Sequence, residues 1–205
     1  MRILPLHRPD NGDYSCVSYW VLGESNLPAD RNTLIDTGST DPANVAYFLG
    51  EMANQAKGIG KRAVEQVVLT HGHFDHSGGL RAIDDQFAPD VYAWHPAGRA
   101  AHPIKDGMAL TVGDQSAVLL HTPGHSEDSV CVFLPGTGTL FSGDTLYRIT
   151  DHLGSYPQAY LDSLERLSRL EVRTIYPGHG SPITLDAAGF IRACLGNVSR
   201  SPIQD

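Results

Sequence analysis

The segment THGHFDHSGG, residues 70–79, concentrates side chains that bind metal ions. His71, His73, Asp75 and His76 lie within six residues, although the chain of 205 residues contains only ten histidines. Neutral imidazole nitrogens and carboxylate oxygens are suitable ligands for zinc and similar divalent ions. The glycine and serine residues around them allow the backbone to turn tightly. The segment therefore indicates a metal site on a turn.

Three further side chains of the same kind follow apolar segments that predict strands. His125 lies in HTPGHS, Asp144 in FSGDT and His179 in YPGHG. Strands anchored in a core hold such turn residues rigidly, as a metal site requires. With the first cluster they give five histidines and two carboxylates, more than the four ligands that one zinc ion takes. We therefore expect two metal sites that share a carboxylate.

The ordered series HxHxDH, TPGHS, SGDT and PGHG resembles the metallo-β-lactamase superfamily of hydrolases, over roughly residues 33–182. The resemblance implies an α/β fold, a four-layer αββα sandwich of two mixed sheets with helices outside. The site would lie at one edge, between the sheets. We expect a single domain of this kind over residues 1–205.

The resemblance also implies how the ligands are shared. One metal ion would be bound by three imidazoles, those of His71, His73 and His125. The other would be bound by one carboxylate and two imidazoles, those of Asp75, His76 and His179. Asp144 would bridge the two ions, and Asp36 in LIDTG would orient a ligand from behind. The expected cofactors are two divalent ions, zinc first, with iron or manganese as alternatives.

The implied reaction is hydrolysis by a hydroxide that two metal ions generate near neutral pH. Asp75 could orient this hydroxide and relay a proton, as a catalytic residue. The segment SGDTLY favours the glyoxalase-II-like branch and hence a small-molecule acyl bond, a thioester above all. Glyoxalase II itself holds glutathione with a basic helical region after the last ligand. Only 26 residues follow His179 here, so we expect a different thioester.

Two alternatives stay open. A lactonase would use the same site, with Tyr147 donating a hydrogen bond to the substrate carbonyl unless this ring simply packs. A mononuclear iron sulfur-dioxygenase would use only His71, His125 and Asp144. A binding module without activity gains little support, because the complete ligand set exceeds what binding requires.

The segment after Asp144 is expected to line the mouth of the site. Its candidates for substrate contact are Tyr147, Arg148 and His152. Arg148 could pair with a substrate carboxylate or phosphate, or lie exposed.

The composition limits the kinds of partner that are expected. The net charge is -8 and the longest basic run is Lys61–Arg62, so a nucleic-acid partner is not expected. We expect no membrane association, a cytoplasmic location and a small-molecule substrate, and the oligomeric state stays open. The three cysteines are far apart in sequence and are expected to be core residues.

The predicted elements place these residues at strand ends. Strands are predicted at 33–39, 64–70 and 91–94, hairpins within 108–124 and 129–145, and a strand before His179. A helix should begin at Asp41 and Pro42 and end near Gly58. Further helices are predicted from residue 80 and within 157–170 and 184–198. Hairpins mixed with separate helices indicate layers rather than regular βαβ alternation.

Overall fold

Two mixed β-sheets form the centre of the protein. The structure is a computed structural model, and it describes residues 1–8, 14–55, 61–95, 101–146 and 149–204. The first sheet has six strands in sequential order: β1 Arg2–Leu6, β2 Ser18–Leu22, β3 Thr33–Ile35, β4 Gln66–Val68, β5 Asp90–Ala93 and β6 Ala101–Pro103. The first three strands pair antiparallel, and β3 to β6 pair parallel.

The second sheet consists of two hairpins and one added strand. Its elements are β7 Met108–Val112, β8 Gln115–His121, β9 Val130–Leu134, β10 Thr139–Gly143 and β12 Thr174–Pro177, in the spatial order β12-β10-β9-β8-β7. The pairing of β10 with β12 is parallel and the others are antiparallel. A separate parallel pair is formed by β11 Tyr156–Pro157 and β13 Ile203–Gln204.

The described residues form five helices: α1 Pro42–Gln55, α2 Phe74–Ser77, α3 Leu80–Phe87, α4 Gln158–Ser168 and α5 Ala187–Val198. As expected, Asp41 caps α1, because its Oδ1 accepts the Ala43 N–H at 2.8 Å. The predicted stop at Gly58 lies outside the described residues. Among the described helices, none is both long and apolar enough to cross a bilayer.

Three apolar clusters show how the layers pack. Phe48 and Met52 of α1 pack with Trp20 of β2 on the outer face of the first sheet. Leu164 of α4 and Ile191 of α5 pack on the outer face of the second sheet. A third cluster lies between the sheets and joins side chains of both: Tyr19, Val21, Ile35, Val68, Leu119, Val132 and Phe141. The layers are therefore helix, sheet, sheet and helix, as the αββα prediction requires.

The described part of the chain agrees with most of the predicted elements. Both hairpins form within the predicted segments 108–124 and 129–145. The three cysteines are free and buried, as expected of core residues. The first sheet does contain two consecutive parallel crossovers, β3-α1-β4 and β4-α3-β5, after its antiparallel strands β1 to β3. These crossovers bring the carboxyl ends of β3 and β4 to one edge, where the metal-binding motifs begin.

Candidate metal centre

The loop that follows β4 holds four of the seven predicted ligands. Its backbone is fixed by Ser77, whose Oγ donates to the carbonyls of Gly72 and His73 at 3.1 and 3.0 Å. Asp128 fixes the same loop from another element, because its Oδ2 accepts the Gly72 N–H at 2.8 Å. The Thr37 N–H donates to the His76 carbonyl at 2.7 Å. The loop is therefore held in place by the protein itself.

Three imidazoles converge on one point. Nδ1 of His73 lies 3.0 Å from Nε2 of His71 and 3.0 Å from Nε2 of His125. Ligand atoms that share one zinc ion at about 2.0–2.1 Å lie about 3 Å apart, so the three nitrogens have a suitable spacing. His71 is buried, whereas His73 and His125 are open to solvent on one side. This group is the one expected to hold the first metal ion.

A second group forms around Asp75. Its Oδ2 lies 3.1 Å from Nε2 of His179 and 3.6 Å from Nε2 of His76. Asp75 and His76 come from the short helix α2 and are buried, while His179 follows β12 and is half-buried. The three ligand-type atoms lie within 4.8 Å of one another, as a shared ion requires.

Asp144 lies between the two groups. Its Oδ2 is 3.7 Å from Nε2 of His125 and 3.5 Å from Nε2 of His179, while its Oδ1 is 3.3 Å from Nε2 of His76. The side chain is 4% exposed. One carboxylate therefore reaches both groups, which is the geometry that a bridging ligand needs.

Two atoms of this cluster test whether a cation fits there. Nε2 of His76 and Oδ1 of Asp144 are buried, and no described residue forms a hydrogen bond with either. Their separation of 3.3 Å is a close electrostatic contact without hydrogen-bond geometry. Buried polar atoms are normally paired, because leaving one unsatisfied costs about 1–3 kcal/mol. A divalent cation would satisfy both, so the donor set fits a metal ion.

Asp36 holds His76 from behind. Its Oδ2 lies 2.8 Å from Nδ1 of His76, and it also accepts the Thr70 hydroxyl at 2.8 Å. Oδ1 accepts the Thr70 N–H at 2.8 Å. Since Nδ1 is occupied in this way, Nε2 of His76 is directed towards Asp75 and Asp144. Asp36 therefore has the orienting position expected of it.

Burial and neighbouring charges set the protonation of the cluster. Burial, together with the nearby His76, lowers the pKa of His71 to about 3, so this imidazole is neutral and able to bind a metal. Burial opposes the charged form of His76, but Cys16 and the Asp36 carboxylate favour it, and its pKa is raised. Burial likewise opposes ionisation of Asp144, yet His76 and the other nearby imidazoles hold its pKa below the ordinary value.

Two glycines let the backbone come close to the cluster. A Cβ on Gly178 would overlap Oδ1 of Asp144 and lie 2.5 Å from Cε1 of His76. Gly143 has φ +47, and a Cβ there would lie 2.5 Å from the Thr70 hydroxyl. The small residues of the SGDT and PGHG motifs are thus needed for the approach of three chain segments.

The three predicted substrate contacts are not brought to the centre by the described structure. Tyr147 and Arg148 lie outside the described residues. His152 is exposed, and it forms no hydrogen bond or ion pair within the described ranges. These three assignments stay predictions.

Some neighbours of the centre carry no motif in the sequence. Cys16 lies beside the second group: its Sγ, a carboxylate oxygen of Asp36 and a ring nitrogen of His76 are within 4.8 Å of one another. Tyr14 packs its ring 5.1 Å from that of His179. The amino-terminal segment that supplies both residues offers no spacing that sequence analysis could have used.

Comparisons with known proteins agree with the motifs. The chain matches the metallo-beta-lactamase superfamily over residues 11–103 and 96–179. A beta-lactamase-like protein 2 homolog of Drosophila melanogaster is 32% identical over 179 residues, which cover 80% of this chain and 58% of that protein. An atrochrysone carboxyl ACP thioesterase of Aspergillus fumigatus is 29% identical over 190 residues, 86% of this chain and 44% of that protein.

A hydroxyacylglutathione hydrolase of Hydrogenovibrio crunogenus is 30% identical over 168 residues, 78% of this chain and 58% of that protein. The chain thus spans about half the length of the curated relatives it matches. A crystal structure of a metallo-beta-lactamase family protein from Thermus thermophilus superposes with a TM-score of 0.69 at 24% identity, covering 97% of this chain and 79% of that one. The motifs, the αββα layers and these matches agree, and the chain belongs to the metallo-β-lactamase superfamily.

Proposed function

We propose that this protein is a metal-dependent hydrolase that cleaves an acyl bond of a small molecule, in the first place a thioester. The observation that carries the proposal is the convergence of seven ligand-type side chains around two buried, unpaired atoms, Nε2 of His76 and Oδ1 of Asp144. The relatives named as a thioesterase and as hydroxyacylglutathione hydrolase support this class of reaction.

In this proposal the two groups bind one divalent ion each. The first ion is bound by His71, His73 and His125, the second by Asp75, His76 and His179, and Asp144 contacts both. When bound, the ions supply a water of lowered pKa and polarise the carbonyl of the substrate. Zinc suits this mixture of imidazole and carboxylate ligands, and iron or manganese would also be accepted.

The side chains of the protein are assigned to proton transfer and to orienting the ligands. We assign Asp75 to orienting the attacking water and accepting its proton, because its carboxylate is buried within the cluster and 3.1 Å from His179. Asp36 and Thr70 keep His76 in the ligating orientation. The buried residues of the loop after β4 exclude bulk water from one side of the site.

The leaving group favours a thioester over an amide. A thiol has a pKa of about 8.5, so a thiolate departs without being protonated by the protein. The amine of an amide and the alcohol of an unactivated ester are strongly basic leaving groups, so their departure needs a proton donor. Of the seven side chains, Asp75 is assigned to the proton of the attacking water and the other six are assigned only as ligands, so none is a separate proton donor for the leaving group. A thioester is therefore the acyl bond that these groups cleave most readily.

The test combines metal analysis with a substrate screen. The purified protein is analysed for metal per chain and then assayed against thioesters, lactones, phosphodiesters and a β-lactam. We expect about two divalent ions per chain and turnover of thioesters that chelation abolishes and zinc restores. Asp162→Ala, an exposed change on α4, serves as the control and should hydrolyse thioesters like the wild type.

The other outcomes point to other functions. Thioester turnover by the fully metal-depleted protein contradicts the proposal. Hydrolysis of lactones alone, or of phosphodiesters alone, keeps the metal centre and replaces the substrate class. One iron per chain with oxygen uptake on a persulfide contradicts a hydrolase and supports the dioxygenase alternative.

A further inference from the structure

A cavity of about 310 Å³ lies beside the metal-binding loop. Leu69, Ala93 and Trp94 form its apolar wall, and His71 and Gly72 of the loop line another side. The volume is at the lower end of the range that small-molecule ligands fill. Because His71 belongs to both the cavity wall and the first ligand group, a molecule in the cavity lies directly against the candidate centre.

The position of the cavity follows from the sheet. The strands β4 and β5 are parallel neighbours, and the Leu69 N–H still donates to the Tyr92 carbonyl at 2.9 Å. Beyond that bond the segment after β4 turns into the metal-binding loop, whereas the segment after β5 continues to Trp94. The crevice outside the carboxyl ends of parallel strands is where open α/β sheets bind ligands.

The Trp94 side of the cavity wall is supported by contacts with His121. The Trp94 ring stacks on His121 with centroids 3.6 Å apart and an interplanar angle of 6°. His121 is itself fixed by two contacts. Its ring Nε2 lies 2.8 Å from the Glu127 carbonyl, and its backbone N–H donates to Asp106 at 2.9 Å. A ligand would therefore meet a preformed surface and would spend little binding energy on ordering it.

Two polar side chains of the lining, Asp128 and Ser77, are already engaged with the protein. The Asp128 carboxylate accepts hydrogen bonds from the Gly72 N–H and the Ser126 hydroxyl, at 2.8 and 2.7 Å. The Ser77 hydroxyl donates to the backbone of the metal-binding loop. Both of these side chains are engaged with the protein, so the lining offers a ligand the apolar wall together with the imidazoles of His71 and the exposed His95.

We propose that this cavity binds the apolar acyl chain of the substrate, an inference that rests on the proposed hydrolase function. A chain that lies along Leu69 and Trp94 has its carbonyl end beside His71, where the candidate ligands converge. Burial of each methylene should then raise kcat/KM by about threefold to fourfold until the cavity is full. The substrate class is accordingly a thioester of a medium-length acyl chain.

The kinetic test uses one thiol and a series of acyl groups. The zinc-loaded protein is assayed with N-acetylcysteamine thioesters from acetyl to octanoyl. We expect kcat/KM to rise by at least about tenfold along the series and then level off. Trp94→Ala should lower the octanoyl-to-acetyl ratio of kcat/KM by at least about threefold. Leu185→Ala removes an apolar side chain that is 87% exposed, outside the cavity, and should leave this ratio unchanged.

A binding test does not depend on turnover. The chain has two tryptophans, Trp20, which is fully buried, and Trp94 in the cavity wall. Octanoyl-N-acetylcysteamine added to the metal-depleted protein should shift the tryptophan emission to shorter wavelength in a saturable way. Trp94→Phe should abolish the shift, because Trp20 is fully buried and does not line the cavity. A shift that persists in Trp94→Phe contradicts the assignment of the cavity.

The two tests separate the two proposals. Equal kcat/KM for every acyl length with no emission change overturns the acyl-chain inference and leaves the hydrolase proposal standing. An emission change that grows with acyl length, without hydrolysis of any thioester, supports the cavity assignment and overturns the hydrolase proposal. A ratio that Trp94→Ala leaves unchanged contradicts the role of the Trp94 wall.

Discussion

Oδ2 of Asp36 lies 2.8 Å from Nδ1 of His76, and both side chains are buried. Asp36 adopts φ +59, a left-handed conformation that directs its carboxylate at the loop after β4. Both of its oxygens are used, one by the Thr70 N–H and the other by the Thr70 hydroxyl and His76. Asp36 thus couples the ends of β3 and β4 to the orientation of one candidate ligand.

Asp36→Ala should therefore weaken metal binding without removing a ligand. Loss of an orienting carboxylate typically lowers metal affinity about 10-fold to 100-fold. Competition with a chromophoric chelator measures this change. Asp186→Ala removes an aspartate that also has positive φ but only caps α5, and it should leave the affinity unchanged. Equal affinities of the wild type and Asp36→Ala would contradict the orienting role.

The glycines on either side of His179 make a matched pair. Gly178→Ala introduces a Cβ that overlaps Asp144 and presses on His76, so it should cost about 1–3 kcal/mol of unfolding free energy and weaken metal binding at least about 10-fold. Gly180→Ala meets open space but has φ +89, so it should cost about 1 kcal/mol and leave metal affinity unchanged. Urea denaturation and chelator competition separate the two effects. Equal loss of metal affinity in both variants would show that the close approach of Gly178 is unimportant.

Asp144→Ala should abolish turnover and disturb both metal sites at once. Its carboxylate lies within 3.7 Å of His125 and within 3.5 Å of His179, so its removal takes a ligand atom from each group. His73→Ala removes a ligand of the first group alone and should mainly reduce the occupancy of that site. Circular dichroism should show folded chains in both variants, and metal analysis should show the larger loss for Asp144→Ala. Full metal content and activity in Asp144→Ala would refute the bridging role.

Asp106 provides a pH-dependent contact between α4 and the second sheet. Burial opposes its ionisation, but hydrogen bonds from Arg166 and from the His121 backbone together lower its pKa below the ordinary 3.8. A lowered carboxyl pKa contributes stability that is present above 3.8 and is lost as the pH falls through the folded-state value. Because both partners are partly exposed, we expect a contribution of at most about 1 kcal/mol.

The Asp106 carboxyl can be titrated directly by carbon-13 NMR. Its midpoint should lie below 3.8 in the wild type and rise in Arg166→Gln, which removes the 2.7 Å ion pair. The stability difference between these two proteins should narrow as the solution is acidified through that midpoint. An unchanged midpoint in Arg166→Gln would show that the ion pair does not stabilise the charged carboxyl.

The sequence predicts a cluster of ligand-type side chains because these residues follow strands. His71, Asp144 and His179 each follow a short apolar run and a small residue, a pattern that is visible without coordinates. The strands before His71 and Asp144 are buried at every position, and the strand before His179 is buried at alternate positions. The four motifs therefore locate one edge of the sandwich before any contact is known.

Other features of the fold and the site correspond to no recognisable pattern in the local sequence. The strand β2 is buried at all five positions, so it lacks the alternation that identifies a strand, and β1 is an edge strand that contains Pro5. Leu69, Trp94 and Asp128 come from separate elements, and only the folded chain brings them to one cavity. Cys16 was correctly expected to be buried, but its place beside His76 depends on long-range packing.

The central claim is that seven side chains hold two metal ions, and anomalous diffraction from crystals of the zinc-loaded protein tests it most directly. We predict two peaks, one bound by His71, His73 and His125 and the other by Asp75, His76 and His179, with Asp144 contacting both at about 2.0–2.2 Å. Peaks located elsewhere, or Asp144 and His179 without an ion between them in the zinc-loaded crystal, would contradict the account.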